Sequence, residues 1–121
     1  MSTPDQHTTY STGAFRDARS SKLDLEGHLS PLALVAYAEF LHENRPQADG
    51  TQRPADNWQL GMSKADYMGS FIRHAFDLWK LHRGWPVEPE KGRAWTIKRM
   101  ACACIFNLMG LLHEICKDEL Q

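Results

Sequence analysis

The chain has 121 residues, enough for one hydrophobic core and too few for two. Its 14 Lys and Arg stand against 15 Asp and Glu, so no basic field exists to hold nucleic acid without sequence preference. The first twenty residues lack the apolar core of a signal peptide, and the longest apolar run, Met100 to Leu112, is broken by Asn107 and is shorter than the roughly 20 residues of a membrane span. The expectation is a soluble, cytoplasmic protein with no membrane segment.

In chain order, Met1 to Gly13 is rich in Ser, Thr and other polar residues and is expected to be a disordered tail preceding a single helical domain over 14–121. Ser30 followed by Pro31 predicts a helix start, a cap and then proline at the first helical position, with the helix running to about Asn44. Leu34, Val35, Ala38 and Leu41 form its apolar stripe. Arg45 to Met62, with Pro46, Gly50, Pro54 and Gly61, is a long connection that Asn57 and Trp58 are expected to anchor. Ser63 with Asp66 three residues on predicts a second helix from Lys64 to about Arg83, ended by Gly84 and Pro86. A third helix is expected from about Ala94 to Lys117. No alternating pattern is long enough to predict a strand. The fold class is therefore all-α, a small bundle of about three main helices with a long ordered loop between the first two.

Cys102, Cys104 and Cys116 all fall in the third helix without the paired spacing of a zinc site, and read as buried, reduced, small apolar residues. Leu108, Leu111, Leu112 and Ile115 extend the apolar surface of that helix beyond what two partner helices cover. Homo-oligomerisation by helix packing is the expected consequence.

The polar residues of the second helix form one face: Ser70, His74 and Asp77 recur at steps of four and three, with Arg73 beside them. An imidazole and a carboxylate one turn apart can reach one divalent cation, and Arg73 can meet a phosphate. The alternative is a solvated face with an ordinary His–Asp contact. Glu39 and Glu43 lie one turn apart on the first helix near His42, either as Mg²⁺ ligands or as the charged side of an amphipathic helix. Arg16 and Lys22, in the polar segment before it, are candidate polyphosphate contacts or solvated charges. Asn107, alone among apolar neighbours, needs a hydrogen-bond partner. The loop around Asn57, a pocket shared with His74, and a purely structural bond are the three options. There is no P-loop, no nucleophile elbow and no paired-histidine zinc motif.

An ordered series runs through these segments: T-G-A-F-R-D, Lys22, L-S-P-L-A-L from Leu29 to Leu34, Asn57-Trp58, Gly61, S-x-x-x-Y-x-x-S-x-x-R-H from Ser63 to His74, and F-N-L from Phe106 to Leu108. This series resembles the phage dATP/dGTP diphosphohydrolase, N-terminal domain family, over roughly Thr12 to Glu114. The resemblance implies a phage-encoded enzyme of the host cytoplasm that hydrolyses a purine deoxynucleoside triphosphate to the monophosphate and pyrophosphate with a divalent metal (Mg, Mn or Co). On the positions the resemblance supplies, side-chain chemistry assigns His74, with Asp77 nearby, to metal or water activation, and Glu39 and Glu43 remain candidate metal ligands from their spacing alone. Arg16, Lys22 and Arg73 would contact phosphates, and Asn57 and Trp58 would border the base. The chain departs from the family at Ile97-Lys98-Arg99-Met100, where acidic or histidine residues are usual. That departure sets hydrolysis against a non-catalytic phage accessory role, in which the same fold binds a nucleotide or a host protein.

Overall fold

The computed structural model describes residues 7–9, 11–13, 15–17, 22–47 and 49–121. By backbone contacts the chain divides into two compact units, 1–34 and 35–121. In the first unit, β1 (His7–Thr9) pairs antiparallel with β2 (Phe15–Asp17), in register Thr8 to Arg16. This three-residue ladder crosses the stretch expected to be a disordered tail; pairing that short leaves no alternating pattern in the sequence. A four-residue helix, α1 (Leu25–His28), follows, capped by the Asp24 carboxylate accepting from the Gly27 N–H at 2.9 Å.

The three main helices follow the expected start signals. α2 (Pro31–Glu43) begins where Ser30 Oγ accepts from the Ala33 N–H at 3.1 Å. α3 (Lys64–His82) begins on Ser63, whose hydroxyl accepts from the Asp66 N–H at 3.1 Å. Gly84, at φ +85°, closes α3: its N–H bonds to the Leu81 carbonyl and the Trp85 N–H to Lys80, an arrangement that needs a left-handed residue. α4 (Ile97–Glu119) is capped by Thr96 through the Arg99 N–H, three residues later than expected, because the cap and not the apolar pattern sets the first turn.

The core of the second unit is an antiparallel pair, α3 against α4. Lys64 pairs with Asp118 at one end, and along the seam Tyr67 packs over Gly110 and meets Phe106 edge-on at 6.2 Å. Met100, Ala103, Asn107 and Gly110 form the buried stripe of α4, at steps of three, four and three. Among the described residues α4 alone is long and apolar enough to cross a membrane, a property it shares with core helices of folded domains. The Asn107 amide donates to the Ala103 carbonyl at 3.1 Å, so of the three options for this residue the structural bond within its own helix is the one formed.

Of the three cysteines, Cys102 and Cys104 are buried, whereas Cys116 is exposed, contrary to the expectation that all three are buried. Position 116 lies off the buried stripe, away from α3. Burial pushes both inner thiols up, with Lys98 partly opposing this at Cys102. Thiolate is the attacking form, so the folded protein should lose one thiol quickly to a disulfide reagent near neutral pH and the other two only on unfolding. Fast loss of all three would mean that α2 does not cover Cys102.

Candidate functional site

The long connection after α2 is a small built structure. The Arg53 N–H donates to the Arg45 carbonyl at 2.8 Å, and Arg45 Nε–H donates back to the Arg53 carbonyl at 2.8 Å. Pro46 and Gln52 form a bridge between them, and the Gln47 N–H reaches the Thr51 carbonyl at 2.8 Å. The tip turns on Gly50 at φ +87°. There Asp49 Oδ1 accepts from both the N–H (3.0 Å) and the hydroxyl (2.6 Å) of Thr51. These bonds favour the ionised carboxylate and hold its pKa below the ordinary value, so the clasp is present above the usual carboxylate range and is lost as pH falls through the depressed value. Pro54 then leads into a single 3₁₀ turn, Asn57–Leu60, which ends at Gly61 with φ +79°.

Between this connection, α2 and α4 lies a groove of about 350 Å³. Leu41, Trp58 and Phe106 supply its apolar walls, and His42, Asn44, Arg45, Arg53 and Asn57 its polar ones. A second, almost wholly apolar cavity of about 250 Å³ shares the walls Leu41, Trp58 and Phe106 and is closed by Tyr37, Tyr67 and Gly110. Burial, reinforced by Cys102 and Tyr67, pushes the Tyr37 phenol up to about 12, so it stays a neutral hydroxyl at any physiological pH. Trp58 is set by an edge-on contact with His113, ring centroids 4.7 Å apart.

Among the described residues neither Arg45 nor Arg53 has a carboxylate partner. These two guanidiniums, without an ion pair among the described residues, stand beside an indole and a phenyl ring. The guanidinium forks suit phosphate or carboxylate, and the aromatic walls suit a flat ring.

Of the residues expected from sequence, Asn57 and Trp58 line this groove. The α3 constellation does not. Arg73 is exposed and donates to Ser70 Oγ at 3.0 Å. His74 turns toward Trp95, with ring centroids 5.9 Å apart, and its buried Nδ1 has no hydrogen-bond partner. No hydrogen bond or ion pair joins His74 to Asp77, which is half-buried. Glu43 is taken by Arg93, 2.9 Å away, whose other nitrogen reaches the Glu43 carbonyl. Glu39 is exposed beside it.

Glu39, Glu43, His74 and Asp77, expected as one metal set, are thus divided between α2 and α3. Among the described residues no three His, Cys, Asp or Glu side chains converge at a spacing that would hold a metal ion. As placed within one chain they do not fit a metal, because a cation already neutralises Glu43 and the imidazole is turned into an aromatic contact. Lys22 is exposed in the first unit. The Arg16 backbone lies in β2, and its side chain falls outside the described residues.

Sequence reasoning missed Arg45 and Arg53. The signal for them was a repeated dipeptide, Arg45-Pro46 and Arg53-Pro54, at the two stems of the hairpin. Proline fixes the backbone just after each arginine and keeps both stems extended.

The fold and the groove together define a class: an all-α protein with a groove lined by two arginines and by aromatic rings, beside a loop held by its own hydrogen bonds. Comparisons with protein-family models, with curated proteins and with solved structures found no match.

Proposed function

We propose that the groove binds a nucleotide, with a purine deoxynucleoside triphosphate as the preferred ligand. The observation that carries this reading is the pairing of Arg45 and Arg53, both without carboxylate partners among the described residues, with the Trp58 and Phe106 walls. Asn57 adds an amide with both donor and acceptor, the pattern a base edge needs. A volume of about 350 Å³ falls at the lower end of small-molecule sites and suits a base with part of its sugar, leaving the phosphates at the arginine rim. The preference for a purine deoxynucleotide rests on the resemblance described above. So does a bacteriophage protein working in the host cytoplasm.

Hydrolysis to the monophosphate and pyrophosphate is the activity the resemblance implies. Because the expected ligand set does not converge in one chain, no catalytic step is assigned to it. The second reading, a non-catalytic accessory protein of the same fold, is favoured by Lys98 and Arg99 in place of acidic residues.

Thermal shift with each of the four dNTPs tests binding, and pyrophosphate release with Mg²⁺, Mn²⁺ or Co²⁺ separates the two readings. A ligand at about 100 times its Kd stabilises the folded state by about 2.7 kcal/mol, a rise of several degrees in Tm. Trp58→Ala should abolish that rise. No shift with any dNTP at millimolar concentration, or a shift that survives Trp58→Ala, would remove the proposal. Pyrophosphate release with any of these metals would favour the enzyme; binding without turnover would favour the accessory protein.

A further inference from the structure

The side of the α3–α4 pair that faces away from α2 is apolar along its length, and among the described residues of the second unit nothing covers it. On α4, Cys102 and Phe106 point toward α2: the Cys102 thiol reaches the Ala36 carbonyl at 3.9 Å, and Phe106 shares a cavity with Leu41. At about 100° per residue, Leu108, Leu112 and Ile115 lie on the opposite flank of the buried stripe. On α3, Met68, Ile72 and Trp79 are rotated from Tyr67 in the same sense and by a similar amount. Because the two helices run antiparallel, equal rotations from their shared seam bring both sets to one side of the pair.

These six residues and Phe76, which packs against Trp79, are between 40% and 59% exposed. At about 200 Å² for a full large side chain they leave on the order of 700 Å² of apolar surface, more than a monomer ordinarily shows and close to the ~800 Å² per partner of a standard interface. The spacing names the kind of occupant. Ala101, Ile105, Leu108, Leu112 and Ile115 recur at steps of four, three, four and three, as do Ala65, Met68, Ile72, Ala75 and Trp79 beginning with three. A helix pair with that seam on both members is covered by another pair with the same seam.

We propose that the occupant is a second copy of this chain, joined face to face into a four-helix bundle in which α4 packs antiparallel against α4. A two-fold axis beside Leu108 sets Ile105 of one copy over Leu112 of the other. It also brings Lys98, exposed at the start of α4, to Glu119, exposed at its end. The charges at the two ends of the helix are therefore complementary only in the antiparallel arrangement. This inference is independent of the groove, which lies on the α2 side.

Light scattering with the whole chain at micromolar concentration should give twice the 13.8 kDa chain mass. Leu108→Lys with Leu112→Lys should weaken association at least about 100-fold, since a charge at the centre of a desolvated patch has no partner, while the helical circular dichroism is unchanged. Ile72→Lys repeats the test on the other helix, should the α4 variant fail to fold. Lys98→Glu should weaken the dimer, and adding Glu119→Lys should restore it. A monomeric wild type, a dimer indifferent to these lysines, or co-sedimentation of the monomer with lipid vesicles would overturn the proposal; charge reversal without rescue would overturn the antiparallel pairing.

Discussion

Gly110→Ala is expected to destabilise the protein by about 2 kcal/mol, lowering Tm by roughly 8 °C. The sign is set by two opposed effects. Alanine is the better helix former by about 1 kcal/mol, which alone would raise stability in the middle of α4. Against this, a Cβ at Gly110 would overlap the Tyr67 ring, which is 2% exposed and packed on Phe106, so the ring or the helix must shift. Either the ring leaves its rotamer or α3 moves away from α4, and overpacking of that kind costs about 1–3 kcal/mol or more. The coupling is testable by a double-mutant cycle with Tyr67→Leu, measured by urea unfolding. Leucine removes the overlapping atoms, so the two substitutions together should cost less than the sum of their separate effects. A stability gain for Gly110→Ala would show that helix propensity wins and that α3 does not approach α4 this closely.

Arg53→Ala is expected to lower dNTP affinity by about 10–100-fold, the equivalent of one charge-assisted hydrogen bond at about 1.5–3 kcal/mol. Its guanidinium makes no ion pair among the described residues, so little else is lost with it. Arg45→Ala should cost more, because Arg45 Nε–H also holds the Arg53 carbonyl and with it the stem of the hairpin. Lysine at 45 keeps the charge but not the fork, and should recover only part of the affinity. Titration calorimetry with a dNTP and with its parent nucleoside separates the parts of the site. The arginine variants should weaken the triphosphate and leave the nucleoside nearly unchanged, whereas Trp58→Ala should weaken both. Equal loss for nucleoside and triphosphate in Arg53→Ala would place the phosphates elsewhere.

Much of the helical framework was legible because helix starts are local. Ser30 with Pro31, and Ser63 with Asp66, each satisfy an orphan backbone N–H within three residues, so the signal lies entirely in adjacent sequence. The third helix was placed three residues early because Ala94 and Trp95 extend the apolar pattern although Thr96 is the cap. The α1 turn and the β1–β2 ladder were not foreseen, since elements of three or four residues carry no period. Asn57 and Trp58, expected from the sequence to anchor the long loop, both stand in the groove wall, and Trp58 meets His113 edge-on.

The amino-acid sequence by itself determined the helical class, the caps, the long connection and the excess of apolar surface on the last helix. These follow from local hydrogen bonding and from the 3.6-residue period, and neither needs a partner distant in the chain. Tertiary structure decided everything that depends on which residue lies across from which. It turned His74 toward Trp95, gave Glu43 to Arg93, and closed Asn107 onto its own helix. It also tied Arg45 to Arg53 through one backbone bond and one bond from the Arg45 side chain to the Arg53 carbonyl, bringing two cations eight positions apart to the rim of one groove. Spacing along a helix says which side chains share a face; only the packing of helices and loops says what that face meets.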